Sequence, residues 1–122
     1  YNCIAHAAGD HTKWWWPDQF WPLSAPREVT IDAFIQAFGS LGFSVALDGS
    51  LEADVEKIVL YAIQGDPQHA AVPLPNGQWS SKLGSEQDIE HALNSLEGAF
   101  YGRVVVVLQR NHHARVREVA QL

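Results

Sequence analysis

Asn76-Gly77 separates two runs of strand character, His69-Ala70-Ala71-Val72-Pro73-Leu74 and Gln78-Trp79-Ser80-Ser81-Lys82. An Asn-Gly pair accepts the positive φ angles of a tight turn, so the middle of the chain is committed to an antiparallel hairpin. Pro73 has no amide donor and must lie at an edge or a bulge. Other segments add to the sheet. Glu56-Lys57-Ile58-Val59-Leu60-Tyr61-Ala62-Ile63 reads as a strand ending at the turn signal Gly65-Asp66-Pro67. Residues 43 to 47 alternate as a short strand before a turn at Asp48-Gly49-Ser50, and Val104-Val105-Val106-Val107-Leu108 is a continuous apolar run, expected as a strand covered on both faces.

Helical signals flank these strands. Asn2 is placed to cap a short helix over residues 3 to 8, which are small or apolar. Thr30 caps a second, whose Ile31, Phe34, Ile35 and Phe38 fall at i, i+3, i+4 and i+7, and Gly39 and Gly42 mark its end. Ser85 with Asp88 resembles a capping box and predicts a late helix carrying Ile89, Ala92, Leu93 and Leu96. Prolines at 17, 22 and 26 forbid a regular helix through Trp14-Trp15-Trp16 and Phe20-Trp21, leaving an ordered loop with aromatic anchors. The sum is an α+β domain, a mostly antiparallel sheet packed against helices.

With 122 residues the chain forms one domain, residues 1–122, long enough to bury a core without staples. It contains no methionine, so native N-terminal residues are expected to be missing. One cysteine excludes a disulfide framework and a multi-cysteine zinc site, and fits a reducing compartment, which leans towards the cytoplasm. A net charge of −6 argues against a nucleic-acid footprint. No apolar run is long enough to span a bilayer.

That cysteine, Cys3, stands at the predicted start of the first helix, where free backbone N–H groups and the helix dipole favour a thiolate. His69 opens a distant strand. A thiol on a helix start and an imidazole on a strand form the minimum kit for a cysteine hydrolase, with Cys3 as nucleophile and His69 as base. Such a thiol is expected to ionise below the free value of about 8.5. Cys3 and His6 lie one helical turn apart, but two ligands without a third do not make a metal site, so neither metal nor cofactor is expected. His91 reads as a half-exposed surface histidine. His112-His113 with Arg110, Arg115 and Arg117 reads as a solvated face or a partner contact.

The strings Tyr1-Asn2-Cys3-Ile4-Ala5-His6-Ala7-Ala8-Gly9-Asp10, Trp14 to Pro17, Glu56 to Ala62 and Trp79-Ser80-Ser81-Lys82-Leu83-Gly84 resemble an uncharacterised bacterial domain family across nearly the whole chain. At one remove, Cys on a helix start, then His on a central strand, then a hairpin, is similar to papain-like cysteine amidases and peptidases. That resemblance implies a polar residue on the strand after the histidine to orient its ring. A two-residue turn at Asn76-Gly77 puts Ser80 and Lys82 on the face of His69; a three-residue loop puts Ser81 there. Ser81 is taken as the third catalytic residue, with Ser80 and Lys82 as binding residues. Asn2 is a second candidate, as a side-chain donor to an oxyanion, and Trp14, Trp15 and Trp16 supply one wall of the cleft.

The expected function is hydrolysis or acyl transfer at an amide bond. The expected substrates are a peptide, a peptidoglycan stem or a protein glutamine, with no nucleic-acid or membrane partner. Two alternatives stand beside it: a non-catalytic binding module on a papain-like fold, and an effector or toxin domain held by a regulatory or immunity partner.

Overall fold

A computed structural model describes residues 1–47, 54–82, 88–93, 97 and 102–111. The elements are α1 (Cys3–Ala8), α2 (Ile31–Gly39), β1 (Ser44–Val45), β2 (Val55–Ile63), β3 (Asp66–Pro73), β4 (Trp79–Lys82), β5 (Asp88–His91) and β6 (Arg103–Asn111). Six strands form one sheet in the order β1-β6-β2-β3-β4-β5, and the paired strands run antiparallel. The fold is thus α+β with an antiparallel sheet, and α1 carries Cys3.

Period-two alternation sorts the strand residues onto two faces. Ile58 and Leu60 of β2, Ala70 of β3 and Leu108 of β6 join Ile4, Phe34 and Phe38 in one core beneath the helices. Val59, Tyr61, Ala71 and Trp79 form a second cluster on the other face. The apolar run in β6 is less enclosed than its composition implies: Leu108 is fully buried, but Val105 stays 50% exposed. Among the described elements, both helices lie on the first face.

Both early helices start where their caps put them. The Asn2 side chain accepts from the Ala5 N–H, and the Thr30 hydroxyl accepts from the Ala33 N–H. The hairpin between β3 and β4 closes through a three-residue loop. The Gly77 N–H donates to Leu74 O at 3.1 Å, and the Leu74 N–H donates to Gln78 O at 2.8 Å. Gly77 at φ 85° supplies the left-handed residue that returns the chain to strand geometry. Register then follows: Val72 faces Ser80 and Pro73 faces Trp79, so Ser81 shares the face of His69. Pro73 lies past the last β2–β3 pair, Val59 with Ala71, where β2 makes no demand on its missing N–H.

The late helix is a correction. Asp88–His91 is strand β5, paired with β4 through Trp79↔His91, Ser80↔Glu90, Ser81↔Ile89 and Lys82↔Asp88. An edge strand offers a row of unmet backbone groups, and pairing with them outweighs a helical pattern spread over few residues. Ser85, Leu96, Asp48-Gly49-Ser50, His112-His113, Arg115 and Arg117 lie outside the described residues.

Candidate functional site

Three hydrogen bonds from Asn2 fix the start of α1 against the aromatic loop. Its Oδ1 accepts from the N–H groups of Ala5 (3.1 Å) and Trp15 (3.0 Å), and its Nδ2 donates to Trp15 O at 2.7 Å. This buried amide joins the helix cap to the loop, which accounts for its side chain without an oxyanion role.

The next residue, Cys3, is 8% exposed. Its sulfur faces the N–H groups of Ala70, Ile4 and Cys3 itself, each of which favours the anion. Burial dominates and pushes the thiol up to about 11, the reverse of the depressed value expected from its helix position. Partial positive charge at one turn of helix does not repay the lost hydration of a sulfur anion.

His69 lies on the opposite face of β3 from Ala70, which packs in the core that holds Cys3. It pairs with Tyr61, and the two rings lie 5.5 Å apart on the face of the second cluster. Burial holds His69 down at about 4, helped by the positive fields of His91 and His6. At neutral pH the thiol and the imidazole are both uncharged. They nevertheless border one cavity of about 530 Å³, together with Asn2, Trp14, Trp16 and Gln68.

The remaining candidates sort by face. Trp14 and Trp16 line the cavity, whereas Trp15 is 5% exposed and does not. Its indole N–H donates to Asp10 Oδ2 at 3.0 Å, which anchors Trp15 in the core. The hydroxyl of Thr12 and the indole of Trp15 hold the Asp10 carboxyl well below the usual carboxylate range. Ser80 and Lys82 are also turned away from the cavity. Ser80 Oγ lies 3.1 Å from His6 Nε2 on α1, and the Lys82 ammonium sits 5.1 Å from the Tyr1 ring centroid. Alternation along β4 places both on the helix side, opposite Ser81.

Ser81 is fully buried and meets a residue that the sequence placed elsewhere. His91 is buried, not half-exposed, because it lies on β5 rather than on a helix. Its Nδ1 is 2.8 Å from Ala92 O, an acceptor only, so Nδ1 carries the proton. In the neutral ring Nε2 must then accept, and the Ser81 hydroxyl donates to it at 2.7 Å. Ser81 thereby has its proton directed towards His91, and its lone pairs remain on the face that also carries His69. The alternation of Ile89 with His91 was the available sequence signal for this pair.

A second histidine group also went unseen. Tyr1 stacks on His11 at 4.3 Å, and His6 lies 5.4 Å from His11. Among the described residues no group of three His, Cys, Asp or Glu side chains is arranged to hold a metal ion.

No curated protein and no solved structure matches the chain. One family model does, that of a domain of unknown function, DUF7689, over residues 1–109, and the chain belongs to that family.

Proposed function

We propose that the domain is a cysteine-dependent hydrolase or acyltransferase acting on an amide bond, with Cys3 as nucleophile and His69 as base across a shared cavity. The observation that carries this reading is the shared cavity: the chain's only thiol and a buried imidazole border one space walled by indoles. The Cys3 S–H proton passes to His69 across the cavity, directly after side-chain rotation or through one water. Sulfur bonds to the carbonyl carbon, and the N–H groups of Cys3, Ile4 and Ala70 supply dipoles near the developing oxyanion. The amine leaves with the proton from His69. Water, or an acceptor amine in a transfer reaction, then cleaves the thioester and restores the thiol. Ser81, held by His91, is the polar residue on the strand after the histidine and acts by position.

A neutral thiol at rest favours a second reading, a binding module in which the same cavity holds a ligand without chemistry. Intact-mass analysis after exposure to a peptidyl vinyl sulfone and to activated acyl donors separates the two. The hydrolase reading expects one adduct on Cys3, formed at least about tenfold more slowly by His69→Ala, the lower end of what a general base contributes. A rate unaffected by His69→Ala, or an adduct seen only after denaturation, gives the binding module the lead.

A further inference from the structure

We propose that the cavity beside Cys3 takes a peptide whose residue next to the reacting amide carries a basic side chain, the cation held by the Trp14 and Trp16 indoles and the Asp18 carboxylate. This rests on the reading of the cavity as a substrate site and names the class of substrate.

The walls set the chemistry. Two indoles and one carboxylate line the cavity, and no lysine or arginine is among the described residues that do so. A cation over an indole face is the most favourable of the aromatic cation contacts, and a carboxylate beside it adds charge pairing. The nearest cations in sequence are occupied elsewhere. Lys13 sits 5.0 Å from the Phe20 ring centroid and 3.7 Å from Asp10 Oδ2. Arg27 Nη1 donates to Pro17 O at 2.9 Å and Gln19 O at 3.1 Å. Asp18 makes no ion pair among the described residues, so its charge remains for a ligand. An acidic side chain or a phosphate entering the same space meets repulsion from Asp18 and from a chain with a net charge of −6.

The loop is also built to hold these groups in place before a ligand arrives. The Trp16 N–H donates to Phe20 O at 3.1 Å, the Gln19 N–H to Trp16 O at 2.9 Å and the Phe20 N–H to Trp14 O at 3.3 Å. Buried Trp15 anchors the segment from within, and Arg27 braces it from outside. Trp14 is nonetheless 44% exposed, a large apolar surface left open on a fixed scaffold. Pre-organisation of this kind lowers the cost of ordering on binding.

Calorimetric titration of the Cys3→Ala protein with acetyl-Ala-Xaa-Ala-amide peptides tests the inference, Xaa being Lys, norleucine or Glu. The same series on the wild-type protein guards against a fold defect in the variant. The Lys peptide is expected to bind at least about fivefold more tightly than norleucine, with Glu weakest, and added salt to weaken only the Lys peptide. Asp18→Asn should bring Lys and norleucine within about twofold while leaving the urea midpoint unchanged, since Asp18 is exposed. The inference is overturned if norleucine matches Lys, if Glu binds best, if the preference survives Asp18→Asn, or if no peptide binds at millimolar concentration. Lys preference without an adduct on Cys3 keeps the cation-binding role of Trp14, Trp16 and Asp18 and sinks the hydrolase; an adduct without preference does the reverse.

Discussion

Burial decides what Cys3 and His69 are at neutral pH, and each leaves a signature in stability. Cys3 ionises at about 11 when folded against 9.0 when unfolded. The unfolded chain loses its proton first, so this contribution is complete below pH 9 and is lost as pH rises towards 11. Iodoacetamide should therefore alkylate native Cys3 slowly at pH 8, with a rate that climbs above pH 9 instead of saturating near neutrality. Saturation below pH 8, followed by mass spectrometry, would mean that the backbone N–H groups outweigh burial. For His69 the sign is opposite. Its pKa falls from 6.5 to about 4, so the unfolded chain takes up a proton first as pH drops. Stability is intact above pH 6.5 and falls between there and pH 4 by about 3 kcal/mol, at roughly 1.4 kcal/mol per unit. Urea unfolding at pH 7 and pH 4.5 should show this loss in the wild type and a smaller one in His69→Gln. Equal losses in the two proteins would place the titrating group elsewhere.

At the scale of elements, the cap of α1 and the β4–β5 pairing set the site. Asn2→Ala removes the cap and strips the Trp15 N–H and C=O of their partner in one step. A lost cap costs about 1 kcal/mol and each of the two buried unmet backbone groups about 1–3 kcal/mol, so about 3–7 kcal/mol is expected from urea unfolding. A loss under about 1 kcal/mol would mean that solvent replaces the amide and that Asn2 is free for another role. Ser81→Ala should cost about 1–3 kcal/mol by leaving His91 Nε2 buried without its donor. The elements of this arrangement were legible where a strand-forming run, an Asn-Gly turn or a helix cap spoke plainly, as at Ile58 to Tyr61, Asn76-Gly77, Asn2 and Thr30. The segment around Ile89 was not, because four residues fit either period and only the open edge of β4 decides between them. Ser81 on the face of His69 depended on loop length, which the turn dipeptide alone left open. His91 was missed with its strand, and with it the reason Ser81 can be buried.

Across the whole molecule, the last of the described strands lies inside the sheet. β6 sits between β1 and β2, so the sheet that presents β3 to α1 is complete only when Arg103–Asn111 has joined strands from much earlier in the sequence. Its entry point is Gly102, whose φ of 80° is left-handed and whose missing side chain makes room for β2. A Cβ there would lie 1.9 Å from Ala62 O and 2.8 Å from Ile63 Cγ1. The oxygen belongs to backbone and cannot rotate aside, so β2 and β6 must separate locally, next to the register shift between Leu60 and Tyr61. Gly9 makes a matched control. It has the same φ of 80° at the end of α1, but a Cβ there meets nothing within 4 Å. Gly9→Ala should cost only the left-handed penalty, about 1–2 kcal/mol. Gly102→Ala carries that penalty plus the clash, so its loss should exceed about 3 kcal/mol, within the range where single substitutions signal a specific structural fault. Urea denaturation followed by tryptophan fluorescence reads both. The Tyr61–His69 pair adjoins this shift, so Gly102→Ala should also disturb the His69 imidazole resonances, whereas Gly9→Ala should leave them in place. Equal costs for the two variants would show that β6 enters the sheet with slack, and that its placement does not constrain the site.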